Sequence, residues 1–293
     1  MQIDLTLDVS AEVNASMKKM INFISSFKES DFIVKDLADP STHLLINHGK
    51  MLRPLLTFIN AESLLKDTDE FIDIAAAEEL LHVASLIHDD IIDDDSTRHG
   101  VETVHKKYDK NMAILAGDAL ISKAISLASS YGIDTVKVFA ENALKMCAGE
   151  VIDINQNSSN RGIENYLKVA ELKTGSLMGV SCAMPALYPS KDENIYNKLY
   201  EIGINLGKAF QIRDDFIDMQ NLDKNNGSQK KDPDLNVIDI MMKEGIEKNA
   251  AIEKVTKMNR EFISNAKNII ESIKNFNFES LKKVADMLAI TNS

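Results

Sequence analysis

Two stretches of this 293-residue chain set carboxylates at a spacing that costs a helix stability unless something compensates. The first is HDDIIDDD, His88 to Asp95, and the second is RDDFID, Arg213 to Asp218. Each holds an Asp-Asp-x-x-Asp pattern, Asp89, Asp90 and Asp93 in one and Asp214, Asp215 and Asp218 in the other. On a helix Asp89 and Asp93 share a face one turn apart, with Asp90 about 100° round. Like charges so placed repel. Hard Mg²⁺ is a fitting counter-charge, because it takes one or two carboxylates and completes its octahedron with water and phosphate oxygens. Two such clusters on facing helices would make an all-oxygen cage, and the ligand it implies is a diphosphate. A structural zinc would want a Cys/His set instead, and none is spaced for it.

Basic residues are then expected in the same cavity. Candidates are Lys50 and Arg53 in HGKMLRP, Arg98 and His99 after the first cluster, and Lys173 and Thr174 in ELKTGSLMG. The overall balance points the same way. Lys and Arg number 33 against 45 Asp and Glu, a net charge of −12, and eight of those acids are Asp89, Asp90, Asp93, Asp94, Asp95, Asp214, Asp215 and Asp218. The acidity is local. It argues against a basic nucleic-acid surface, so no nucleic acid is expected as a partner.

The elements that must position these groups read as helices. Gly (12) and Pro (5) are scarce and Trp is absent, which disfavours sandwiches, barrels and propellers with their frequent reversals. Apolar residues at helical spacing predict an all-α chain with helices at about 10–28, 43–65, 70–94, 110–130, 134–156, 164–186, 192–222, 235–274 and 279–290. Breaks are expected at Asp39-Pro40-Ser41, between Ser96 and Val101, at Tyr131-Gly132, between Asn157 and Gly162, at Pro189-Ser190 and between Asn225 and Pro233. No linker or repeat interrupts residues 1–293, so a single domain is expected. The polar stretch 221–236 follows the second cluster directly and is a candidate lid. Cys147 and Cys182 read as buried reduced thiols and suggest a cytoplasmic setting. The N-terminus shows no signal peptide, and the apolar runs fall short of the ~20 residues of a transmembrane segment.

Five motifs in order carry a resemblance. They are GKxxRP (Gly49 to Pro54), ELLHVASLIHDDIIDDDSTRHG (Glu79 to Gly100), AILAGDAL (Ala113 to Leu120), KTGSL (Lys173 to Leu177) and GKAFQIRDDFID (Gly207 to Asp218). The chain resembles the trans-type isoprenyl (polyprenyl) diphosphate synthases. That resemblance implies the all-α isoprenoid synthase fold, a bundle of ten or more helices around a central cavity, usually as a homodimer. It implies Mg²⁺ as cofactor, with Asp89, Asp93 and Asp214 as ligands and Asp90 and Asp218 in support. It assigns Arg98, Lys173, Thr174 and Gln211 to an allylic diphosphate, and Lys50, Arg53 and His82 to isopentenyl diphosphate. The activity implied is prenyl transfer. Diphosphate leaves an allylic carbon, the double bond of isopentenyl diphosphate attacks the resulting cation, and loss of a proton restores an allylic diphosphate. Metal and basic donors stabilise the departing anion.

The chain departs from the family pattern twice. His99 stands where a second arginine is usual, and a histidine is charged only part of the time near neutrality, so weaker and pH-sensitive binding of isopentenyl diphosphate is expected. Past Asp218 the usual Gly-Lys and GKxT-like segments are replaced: Gly227 precedes Ser228, and Lys224, Lys230 and Lys231 are candidates for the missing charge, among which spacing does not choose. Small residues at Ala84 and Ser85, upstream of Asp89, leave room for a growing chain and favour a long product of about seven to ten isoprene units (C35–C50). Leu80, Leu81, Phe139 and Met146 are candidates for the channel floor. The alternatives are a short-chain farnesyl or geranylgeranyl synthase, a class I terpene cyclase, a phosphohydrolase built on His82, His88 and Asp89, and a non-catalytic partner subunit.

Overall fold

With so few residues that break helices, the backbone is helical along most of its length. The computed structural model describes residues 8–155, 162–189, 191–224 and 236–291. The helices are α1 (Ala11–Ser25), α2 (Glu29–Phe32), α3 (Lys35–Ile46), α4 (Leu52–Ser63), α5 (Ile72–Ile92), α6 (Val104–Lys107) and α7 (Lys110–Ser129). They continue as α8 (Ile133–Asn155), α9 (Ile163–Val169), α10 (Ser176–Leu187), α11 (Glu193–Lys224), α12 (Val237–Lys243), α13 (Lys248–Ser272) and α14 (Glu279–Met287). Side chains cap several starts. Ser10 accepts from the Val13 amide, Asp109 from Met112, and Asn236 from Ile238 and Asp239. The strands among the described residues are a short antiparallel hairpin, β1 (Thr97–Arg98) and β2 (Val101–Glu102). Its two-residue turn, His99-Gly100, has φ of 51° and 83°, both left-handed as a primed hairpin turn demands.

The all-α expectation holds, with local corrections. No break occurs at Asp39-Pro40-Ser41, since Pro40 lies buried inside α3. The hydroxyls of Ser41 and Thr42 bond the Leu37 and Ala38 carbonyls (2.7 and 2.9 Å) and brace the turn around it. The helix expected over 43–65 is two. Met51 takes a left-handed φ of 52°, and Pro54 sits in the first turn of α4, where no amide donor is missed. The helix expected over 235–274 also divides, at Gly245 (φ 87°), whose amide and that of Ile246 cap α12 through the Met242 and Met241 carbonyls. Between α9 and α10 the helix widens into a π segment, Ala170–Gly175. Cys182 is buried as expected, but Cys147 is exposed, and both thiols are free. By length and composition α7 could cross a membrane, against the expectation of none; it packs along α5 and α3 and buries Ala113, Ala116, Gly117, Leu120, Ala124 and Ala128.

The chain divides into two compact units. The first comprises Met1–Ala143 with Ser181–Tyr196. Its core holds Phe58, Ile59, Phe71, Ile74, Leu80 and Ile87, all fully buried, with α5 packed against α1, α4 and α7. Small residues bring α5 and α7 together: a Cβ on Gly117 would lie 2.2 Å from His88 Nε2. The second unit comprises Leu144–Val180 with Asn197–Ser293. Ile212, Met219, Val237, Ile240, Met241, Val255 and Ile290 form its core. Buried Asn259 of α13 ties that core, donating to the Ala209 and Leu288 carbonyls and accepting from the Ile290 amide. Backbones meet where Gly175 and Gly179 face Gly203 and Gly207 of α11. A Cβ on Gly207 would lie 2.4 Å from Gly175 Cα, and one on Gly203 2.4 Å from the Met178 carbonyl oxygen.

Candidate active site

The first acidic cluster is the C-terminal end of α5. Asp89 is half-buried, Asp90 buried and Asp93 exposed; Asp93 caps the helix and donates its amide to the Asp89 carbonyl at 2.8 Å. A helix C-terminus is already negative, and no basic residue lies in this last turn, so its own backbone disfavours these acids. Nearby cations compensate in part. Arg98 in β1 donates Nε and Nη2 to Asp90 Oδ1 (2.8 and 2.5 Å) and Nη2 to Asp95 Oδ2 (3.2 Å). Burial raises the Asp90 carboxyl pKa even against Arg98. Asp90 therefore braces Arg98; the other two carboxylates of the pattern are Asp89 and Asp93.

Those two offer only oxygen. Among the described residues no three His, Cys, Asp or Glu side chains gather into a ready-made metal site. The donors fit Mg²⁺, which needs only one or two carboxylates from the protein and takes the rest from phosphate and water. They do not fit zinc.

A basic group forms on the same unit. His82 is held neutral, its pKa pushed well below the ordinary value by burial first and then by its basic neighbours, Arg53 ahead of His99 and Arg98. Arg53 is enclosed with Glu79 and Glu78 as its counter-charges, and its buried Nε has no hydrogen-bond partner. Lys50 is exposed on the segment between α3 and α4. His99 is not the partly charged donor expected. Its Nδ1 donates to the Asn47 carbonyl at 3.1 Å, and partial burial lowers its pKa, so the ring is neutral near pH 7. Ala84 is fully buried; Ser85 is half-buried, and its hydroxyl bonds the His82 carbonyl at 2.8 Å. Leu80, Leu81, Phe139 and Met146 are buried. His88 turns to α7, with Nε2 3.3 Å from the Ile114 carbonyl and 3.9 Å from Asp118 Oδ1.

The second unit carries the other half of the expected set. Lys173 and Thr174 lie in the π segment, whose extra residue per turn shifts side chains out of the flanking register. Lys173 Nζ bonds Glu150 and lies 3.2 Å from Asp153 Oδ2, both from α8. Thr174 donates to Gln211 Oε1 (3.1 Å), and Gln211 Nε2 donates to Asp215 Oδ1 (3.0 Å). Asp215 Oδ2 accepts the Val237 amide (3.1 Å), fastening the start of α12. Burial pushes the Asp215 carboxyl up to about 6. Asp214 is half-buried and Asp218 exposed; the Tyr166 phenol, raised by burial and by Asp215 and Asp214, lies beside this cluster. Asp215, like Asp90, accepts hydrogen bonds from the protein itself. Residues 225–235 of the candidate lid, with Gly227, Ser228, Lys230 and Lys231, and the side chain of Lys224 lie outside the described residues.

The sequence pattern of the polyprenyl synthetase family matches residues 34–275. The chain belongs to that family. A geranylgeranyl pyrophosphate synthase of Geoglobus acetivorans is 37% identical over 184 residues, 60% of this chain and 58% of that protein. A nonaprenyl diphosphate synthase of Mycobacterium tuberculosis is 32% identical over 193 residues, 65% of this chain and 58% of that protein. The matched stretch thus spans under three-fifths of either relative. The solved geranylgeranyl pyrophosphate synthetase of G. acetivorans superimposes with a TM-score of 0.81 at 30% identity, covering 94% of this chain and 97% of that one. The fold is that of the polyprenyl synthetases.

Sequence reasoning gave no role to several charged or polar residues that neighbour the candidates in each unit. Glu150 and Asp153 stand three apart on α8, a spacing that puts two acids on one face, and their target was already a candidate. Tyr166 lies in none of the five motifs, and Glu79 opens one of them without a role assigned to it. Their roles come from burial beside charge.

Proposed function

We propose that this chain is a Mg²⁺-dependent trans-prenyltransferase that condenses isopentenyl diphosphate with an allylic diphosphate. The single observation that carries the proposal is the gathering of Arg53, neutral His82 and Arg98 beside the acidic end of α5. Asp89 and Asp93 of α5, and Asp214 of α11, are the proposed Mg²⁺ ligands. Bound Mg²⁺ supplies Lewis-acid stabilisation of the departing diphosphate. Arg98, braced by Asp90, together with Lys173, Thr174 and Gln211 orients the allylic diphosphate. Lys50, Arg53 and His82 hold isopentenyl diphosphate; the unpaired Nε of Arg53 is a buried donor that an anion would satisfy.

The product is proposed to be geranylgeranyl or geranylfarnesyl diphosphate, the chain lengths named for relatives at 37% and 34% identity. A long-chain product is the second reading, supported by the small Ala84 and Ser85 and by the nonaprenyl synthase relative. A homodimer is proposed as well, since Ile114, Leu115 and Ile125 are exposed on one face of α7. Free Cys147 and Cys182 agree with a reducing, cytoplasmic setting.

The test is incubation of the purified protein with Mg²⁺, labelled isopentenyl diphosphate and an allylic primer, followed by product sizing. Incorporation that stops with EDTA and falls by about 10³-fold or more in Asp89→Ala and Asp214→Ala is expected. No incorporation with any primer would overturn the proposal. Ala84→Tyr distinguishes the chain lengths: it shortens a long product and leaves a short one unchanged.

A further inference from the structure

Position 99 departs from the family pattern, and the structure shows what the histidine does there. His99 is the first residue of the β1–β2 turn, held at φ 51°. Histidine, like asparagine, takes this left-handed conformation more readily than most residues. Its Nδ1 lies 3.1 Å from the Asn47 carbonyl oxygen. A carbonyl only accepts, so Nδ1 carries the proton. The ring lies over Gly49: a Cβ added there would sit 2.8 Å from His99 Nε2 and 2.9 Å from Cε1. Glycine at 49 is what lets the ring settle on the backbone.

A second histidine joins the same two segments. His43, buried in α3, donates Nε2 to the Glu102 carbonyl of β2 at 2.7 Å, and its Nδ1 accepts from Lys107 Nζ at 3.2 Å. The hairpin is thus tied at its turn and at its second strand to the chain between His43 and Gly49. Lys50 follows one residue after Gly49, and Arg98 immediately precedes His99.

We propose that His99 is a positioning residue, a clasp that fastens the segment bearing Lys50 to the hairpin bearing Arg98. It takes the place of a second charged contact to substrate. Its role in binding rests on the proposed prenyltransferase function; the clasp itself does not. Holding two cationic side chains before the ligand arrives lowers the ordering cost of binding. The groups facing the ring are Arg98 beside it, Asp90 and His82 of α5, and His48 of the clasped segment. Burial is the largest influence on its titration and favours the uncharged form.

Amide hydrogen exchange over residues 47–51 reads the clasp without any reaction. His99→Ala and Gly49→Ala should each speed exchange there by tenfold or more. His99→Asn keeps a donor near the Nδ1 position and tolerates positive φ, so it should stay within about threefold of the parent. Exchange unchanged in His99→Ala, or raised equally in His99→Asn, overturns the clasp. In the condensation assay, His99→Ala should raise KM for isopentenyl diphosphate about tenfold with kcat within twofold, and His99→Asn should restore it. A His99→Arg variant that binds isopentenyl diphosphate more tightly than the parent would show that position 99 calls for charge, and would also overturn the inference. A parent protein with no condensing activity counts against the proposed function, and the exchange result then still decides the clasp.

Discussion

Arg98 closes two of its nitrogens on one oxygen of Asp90, Nε at 2.8 Å and Nη2 at 2.5 Å, while Asp90 Oδ2 is buried without a partner. The side chain of Asp90 is 0% exposed and that of Arg98 28%. Removing one partner of such a pair strands the other, and typical losses are about 3–5 kcal/mol. Arg98 retains Asp95 and some solvent, so Asp90→Ala should lose about 2 kcal/mol of stability in urea melts. KM for the allylic substrate should rise in the same variant. If Asp90→Ala behaves like Asp89→Ala, losing turnover while stability holds, then Asp90 belongs with the metal ligands.

Glu78 gives a pH signature. Thr57 Oγ1 is 2.6 Å from Glu78 Oε2 and 3.1 Å from the Ser181 carbonyl oxygen. The hydroxyl donates to Glu78, which favours the charged carboxylate, but burial outweighs it. Burial pushes this carboxyl up to about 8, from an ordinary value of 4.5. Between those values the folded state holds a proton that the unfolded chain has released, so stability falls as pH rises through the window. Glu78→Gln mimics the protonated form. It should leave the melting midpoint nearly unchanged at pH 5 and raise stability at pH 8 by roughly 3 kcal/mol. An equal gain at both pH values would mean that Glu78 titrates normally.

Gly203 and Gly207 set a packing limit. Alanine in a helix interior gains about 1 kcal/mol over glycine from propensity alone. Against that, a new methyl at 203 or 207 meets backbone at 2.4 Å, where nothing flexible can swing aside. Overpacking of this kind loses about 1–3 kcal/mol or more. Gly203→Ala should therefore lower the thermal midpoint despite its better propensity. A rise in midpoint would show that α10 and α11 can separate without loss.

The two acidic clusters were legible because their spacing is self-repelling, and nothing in an isolated helix rewards it. Which aspartate faces inward was not legible. Asp90 and Asp215 look like their neighbours in sequence, and only burial against Arg98, or against Gln211 and Val237, separates them. The π segment was hidden because apolar periodicity resumes on either side of it. Pro40 misled, since a buried proline within α3 looks in sequence like any other break. Pro54 was the better clue, standing where a first helical turn accepts it, and it marks the start of α4 that the expected single helix missed.

The acids that end α5 oppose both one another and the dipole of their own helix. A divalent ion that bound there would relieve that strain whether or not any substrate were present. Millimolar magnesium should accordingly protect the resting protein against heat, by a few degrees, and Asp89→Ala should lose the protection. The acidic end of α5 would then also be where the unliganded molecule first loosens.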